Sequence, residues 1–250
     1  MNFDISPLLE NWDYQPGQII VRRFKGRDGE PKIQLRVDLG LLQMNAVGRP
    51  DGKRPLGHAS LFDYHEARLQ KHIEENGTEE GFTLRAEDIS KLQLEALQYH
   101  HRYICLLELK DFTSVIQDTE RNLTVFDFAA RYAESEEMSW ALQQFRPQLL
   151  LIQVRARVSE KLGAKHHRDA VQEIERTIAE LRQFYADYGR GDQEHSTEIQ
   201  YLEAWMGEIN TSRPLSKREK LELALSDAVR QENYEKAAQV RDKLKKLPEE

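Results

Sequence analysis

The sequence predicts a mainly α protein of the α+β class: a small N-terminal antiparallel sheet with a helix, a helical-repeat-like or bundle body, and a C-terminal helical hairpin. Three observations lead there. Between Gln18 and Ala46 apolar and polar residues alternate, the period of a half-buried strand. From Ala86 to about Asn210 nearly every window carries apolar residues at helical spacing. From Leu221 onward two short apolar stripes flank Gln231-Glu232-Asn233. The expected divisions are residues 1–80, 81–210 and 215–250.

Composition sets the outer limits. A chain of 250 residues with 39% hydrophobic content can build one large domain or two to three small ones. Charged residues make up 32% and the net charge is −7, so a soluble chain is expected, one that does not coat nucleic acid as a whole. No apolar run approaches the roughly 18 residues of a membrane span. The first residues, MNFDISPLLENWDY, are acidic and lack a basic start followed by an apolar stretch, so no secretion signal is expected there. A single cysteine, Cys105, excludes an internal disulfide and a zinc cluster of cysteines. A cytoplasmic location is expected.

Residues 1–16 read as irregular, with Leu8, Leu9 and Trp12 as packing anchors. A strand starts at Gln18-Ile19-Ile20-Val21, and Asp28-Gly29 marks a turn. Ile33, Leu35, Val37 and Leu39 then alternate with Gln34, Arg36 and Asp38. After Gly40 the phase shifts, which suggests a bulge or bend. Two or three antiparallel strands are expected. Residues 18–56 carry nine Lys or Arg against four acids, a local excess of five positive charges. Such a face could meet phosphates through Arg22, Arg23, Lys25 and Arg36. Phe24 is the lone aromatic there, so base stacking has little support, and a solvated face is the plainer reading. Ser60 followed by Asp63 opens a helix that Asn76-Gly77 closes, and residues 74–81 read as a polar linker.

In the helical body Leu92, Ala96, Leu97, Tyr99, Tyr103 and Leu107 mark a first helix, and Asp111 caps a second. A short helix around Met138–Ala141 leads to Pro147 at the start of the next, which runs to Gly163. Asp169–Tyr188 forms another, ended by Gly189-Arg190-Gly191, and a last one carries Ile199, Leu202, Met206 and Ile209. A weak repeat is visible: IQDTERNL at 116–123 aligns with VQEIERTI at 171–178, an offset of 55 residues. Stacked helix pairs bury faces that no pair buries alone. The arrangement resembles a degenerate tetratricopeptide repeat, although the period is too long and its glycine and proline positions are mostly missing. Its concave side would be a second protein- or peptide-binding surface.

The C-terminal stretch is the most specific. Ser216 with Glu219 reads as a capping box, and Leu221, Leu225 and Ala228 follow at helical spacing. Asn233 caps a second helix carrying Ala237, Ala238, Val240, Arg241, Leu244 and Leu247. Leu221, Leu225, Ala228, then Tyr234-Glu235-Lys236-Ala237-Ala238, then Arg241-Asp242 and Leu244 resemble the UVR motif of bacterial excinuclease subunits B and C, found also in Clp-type chaperones and their adaptors. Val240 stands where Leu or Ile is more usual. The resemblance implies a protein-contact module, with Leu221, Leu225, Ala228, Tyr234, Glu235, Ala237, Ala238, Arg241 and Leu244 as partner-binding residues. It also implies a link to nucleotide excision repair or Clp-type proteolysis. A hairpin of about 30 residues is too small to stabilise itself as a single core, so its stripe needs cover from its own domain, a second copy or another protein.

No catalytic pattern stands beside this. HExxH, P-loop, GxGxxG and GxSxG motifs are absent from the sequence. His100-His101 and His166-His167 are adjacent pairs whose side chains diverge by about 100° on a helix, poor geometry for two ligands of one metal. Cys105, among Ile104, Leu106 and Leu107, reads as a buried thiol. The helical acids read as solvated faces beside Lys and Arg. A non-enzymatic adaptor without cofactor or metal is therefore expected, with a nucleic-acid-associated factor as the alternative.

Overall fold

The computed structural model describes residues 4–188, 196–212, 217–230 and 233–245. The chain divides into two compact units, Met1–Glu203 and Ala204–Glu250.

The first unit opens with a short helical turn, α1 (Ser6–Leu9), followed by β1 (Ile20–Lys25), β2 (Pro31–Val37) and β3 (Gly40–Asn45). The strands form one antiparallel sheet in the order β1-β2-β3. Gly29, at φ +83°, supplies the left-handed position of the first turn. The bulge or bend expected at Gly40 is a hairpin turn: Val37 pairs with Gly40, so the chain reverses across Asp38-Leu39. No turn dipeptide announces this. The Arg36 guanidinium stitches the turn, Nη1 donating to the carbonyls of Asp38 and Gly40, each at 3.0 Å.

The register gives the sheet two faces. Ile33 and Met44, cross-strand partners, are buried in the core, and Val21 and Leu35 pack against it. On the opposite face Arg22 Nε donates to Gln34 Oε1 (2.7 Å) and Gln34 Nε2 to Gln43 Oε1 (2.8 Å). The N-terminal segment lies over that polar ladder, with the Arg22 guanidinium 4.0 Å above the Trp12 ring.

Helix α2 (Leu61–Asn76) starts as expected, the Ser60 hydroxyl accepting from the Asp63 amide at 3.1 Å, and ends with Gly77 in the left-handed conformation. The stretch expected as a linker, residues 74–81, is instead tied down. Glu79 accepts from the Tyr132 hydroxyl at 2.7 Å and pairs with Arg131. Just beyond it, Leu84 is fully buried and its amide donates to the Tyr132 carbonyl at 2.7 Å.

Then come α3 (Ala86–Glu108), α4 (Phe112–Tyr132), α5 (Glu136–Gln143), α6 (Arg146–Gly163), α7 (His167–Tyr188) and α8 (Thr197–Ser212). Helices α3 and α4 pack together, as do α6 and α7, and α4 packs on α6. One hydrophobic cluster runs from Ile33 and Met44 through Phe62, Leu92, Leu106 and Phe126 to Leu149.

The 55-residue offset extends well beyond the eight aligned residues. α3 ends at Glu108 and α6 at Gly163. Lys110 (φ +57°) and Lys165 (φ +64°) take the same left-handed turn. Lys110 N bonds Leu107 O, and Lys165 N bonds Leu162 O, each at 3.0 Å. Even the interhelical ion pair recurs: Arg102 with Asp118 at 2.6 Å, and Arg157 with Glu173 at 3.6 Å. Each helix pair is closed by the same turn and joined by the same charge pair. The interposed α5 lengthens the period. Since a lysine in the left-handed region costs about 1–2 kcal/mol relative to right-handed backbone, Lys110→Gly is expected to raise unfolding stability by about 1 kcal/mol, read as a higher urea midpoint at unchanged slope.

The helical acids are not all solvated, contrary to the sequence expectation. Glu95 is fully buried, its Oε2 accepting from Leu61 N at 2.8 Å and its Oε1 from Phe62 N at 3.3 Å, so it caps α2 from a neighbouring helix. Arg121 pairs with Glu95, while Glu120 pairs with Arg157. Arg102 holds Asp118 through two bonds of 2.6 and 2.8 Å and also donates to the carbonyls of Asn45 and Gly48. These charges fasten the sheet and α2 onto α3 and α4.

In the second unit α8 continues through Ser212, past the Asn210 where a linker was expected to begin; residues 213–216 lie outside the described residues. α9 (Lys217–Arg230) and α10 (Tyr234–Lys245) follow.

Candidate partner-binding surface

Helices α9 and α10 pack against each other. The turn between them is closed by the Asn233 amide donating to Ala228 O at 2.8 Å. Asn233 also caps α10, its side-chain oxygen accepting from Lys236 N at 3.1 Å. Ser216, the expected cap of α9, and Leu247 lie outside the described residues.

Three small side chains of the pair are buried: Ala228 at 1%, Ala237 at 8% and Val240 at 7% exposure. Small residues at a helix contact allow a short interaxial distance. Leu221, Leu225 and Leu244 are only half-buried. Ala238, Glu235 and Arg241 are exposed, and Tyr234 reaches 69% exposure. The nine residues singled out in the sequence therefore sort into a closed inner set, Ala228 and Ala237, a half-covered leucine row, and an open outer set. The arrangement can offer shape, apolar surface and flanking charge, the last from the exposed Glu235 and Arg241.

The four basic residues of the sheet do not share a face. The register puts Arg22 and Arg36 on one side and Arg23 and Lys25 on the other. Arg23 is paired with Asp111 at 2.6 Å, and Arg36 is spent on the β2–β3 turn and lies over Tyr14. Phosphates could meet at most two of them at once.

The histidines are scattered likewise. His100 Nδ1 lies 2.7 Å from the Tyr103 hydroxyl, and His166 is 3.8 Å from Asp169. Among the described residues no group of three or more His, Cys, Asp or Glu has metal-binding geometry. Cys105 is fully buried, and burial pushes its thiol pKa up to about 12. A thiol reagent at mildly alkaline pH is therefore expected to leave the native chain unmodified and to titrate a single thiol once the chain is unfolded.

Sequence reasoning missed one feature. Leu97, one of the residues that mark α3 in the sequence, is exposed, as are Leu94, Phe145 and Tyr201. All four line one groove in the first unit. The available signal was the width of the α3 stripe: Leu92, Leu94, Ala96 and Leu97 cover more of the helix circumference than one core face needs.

The comparison with known families bears on this paired hairpin alone. The family model for the UVR motif, described as the UvrB/uvrC motif, matches residues 216–250. That motif mediates protein–protein contact. No curated protein and no solved structure matches the chain. No helix among the described residues is long and apolar enough to cross a membrane.

Proposed function

We propose that this chain is a non-enzymatic adaptor of the cytoplasm that captures a protein partner through α9 and α10. The observation that supports this reading is the half-buried state of Leu221, Leu225 and Leu244 on a hairpin that matches a contact motif. Full burial of a leucine is worth about 1.5–3 kcal/mol, and each of the three has at most about a third of its surface left to cover, so completing them yields at most about 1.5–3 kcal/mol before the cost of association. That suits a reversible complex. Leu221, Leu225 and Leu244 form the docking row, with the exposed Tyr234, Glu235, Ala238 and Arg241 at its rim. Ala228 and Ala237 act by keeping the two helices close. The families that carry the motif point to a partner in nucleotide excision repair or Clp-type proteolysis, and residues 215–250 are read as a separable module. The repeated helix pairs of the first unit, tetratricopeptide-like in pattern, serve as its scaffold.

Affinity capture from native lysate tests the proposal. The full chain is expected to retain a discrete protein that a chain ending at residue 214 does not. Equal retention by both would overturn it.

A further inference from the structure

A groove of about 820 Å³ lies along α3 and α6 in the first unit. It is lined at repeat-related positions: Gln93 and Gln148, Ala96 and Leu151, Leu97 and Ile152, His100 and Arg155 each differ by 55 in number. Both helices thus present a polar residue, then an apolar step, then a nitrogen-bearing residue along one wall. The apolar surface is open. Leu94 is 64%, Leu97 47% and Phe145 44% exposed, a concentration of large apolar side chains that marks binding grooves.

Charge then narrows the occupant. Among the described residues Arg155 is the sole one lining the groove with a permanent charge. It is exposed and makes no hydrogen bond or ion pair among the described residues. The other arginines of α6, Arg146 and Arg157, are both paired with acids. His100 adds little positive charge, since burial and the neighbouring His101 hold its pKa below the usual value. The groove is therefore greasy, open and singly cationic. An extended apolar row with an unanswered cation beside it fits a helix with apolar anchors one and two turns apart and an acid next to them.

We propose that this groove binds an amphipathic helix of another protein, its apolar stripe seated on Leu94, Leu97 and Phe145 and a carboxylate paired with Arg155. Its lining residues all belong to the first unit and none to α9 or α10, so the chain carries two distinct sets of contact residues.

The probe is a displayed library of amphipathic helices of about 15 residues, long enough to hold helical structure, selected against the full chain. Enriched sequences are expected to carry Asp or Glu beside the apolar stripe. Leu97→Asp is expected to weaken a selected helix at least about tenfold, the worth of one docked leucine. Arg155→Glu is expected to weaken it about fivefold, and exchanging the helix acid for lysine is expected to restore binding to that variant. Both positions are exposed, so circular dichroism of the variants should match the parent chain. Absence of any enriched helix, or enriched helices that bind both variants as well as the parent, would overturn the proposal. So would a concentration-dependent dimer in sedimentation that Leu97→Asp dissolves, because the groove would then belong to a second copy. Neither variant alters residues 217–245, so the hairpin proposal stands or falls independently.

Discussion

Glu95→Ala is expected to destabilise the chain by about 3–5 kcal/mol, the typical loss when one partner of a buried ion pair is removed. The carboxylate is completely shielded from water. It faces two arginines: Arg121, and Arg49, whose Nε lies 2.9 Å away at an angle too poor for a hydrogen bond, so that contact is ionic. Both guanidinium groups are nine-tenths to four-fifths covered; alanine would strand Arg121 without an anion and leave Arg49 only its contact with Asp51 at 3.2 Å. The first amides of α2, Leu61 and Phe62, would lose their acceptor as well. Because a domain is stable by only about 5–15 kcal/mol, this is a large share of the total. Urea unfolding gives the number. Glu95→Gln, which keeps an acceptor oxygen but discards the charge, should cost less. A loss below about 1 kcal/mol for the alanine variant would mean that the carboxylate is not the link between the sheet, α2 and α4.

Ala238→Glu is expected to abolish partner capture, a loss of about a hundredfold or more, without unfolding the chain. The methyl group of Ala238 is exposed on α10, so a longer side chain meets no neighbour in the free protein. In a complex that covers the leucine row, the new carboxylate would be buried without a partner, at a cost of several kcal/mol. Helicity and the urea midpoint should stay at parental values. Undiminished capture would place the contact elsewhere on the hairpin.

The local part of the fold is legible in the sequence, and the long-range part is not. Helical periodicity, the Asp111 cap, Pro147 at the head of α6 and Asn233 at the head of α10 act within one or two turns, and all four recur in the structure. The second sheet turn shows in the sequence only as the phase shift at Gly40, because the arginine that holds it works through side-chain bonds to carbonyls. Residues 74–81 look like a linker by composition because the partners of Glu79, Arg131 and Tyr132, stand more than fifty positions along the chain. Glu95 and Asp118 look like ordinary helical acids for the same reason. Of the surfaces, the hairpin could be read because its residues are contiguous and patterned. On the repeated body the sequence suggests a second surface but not its residues, since the walls of the groove come from α3 and α6 and its openness depends on how the two repeated pairs stack.

A photo-reactive amino acid in place of Leu225, irradiated in native lysate, tests the central claim most directly. The predicted result is a cross-link to a second polypeptide, lost when Ala238→Glu is introduced into the same chain. Adducts confined to residues 1–203 of the same molecule would contradict it, because the leucine row would then be covered by its own body and would have nothing to offer a partner.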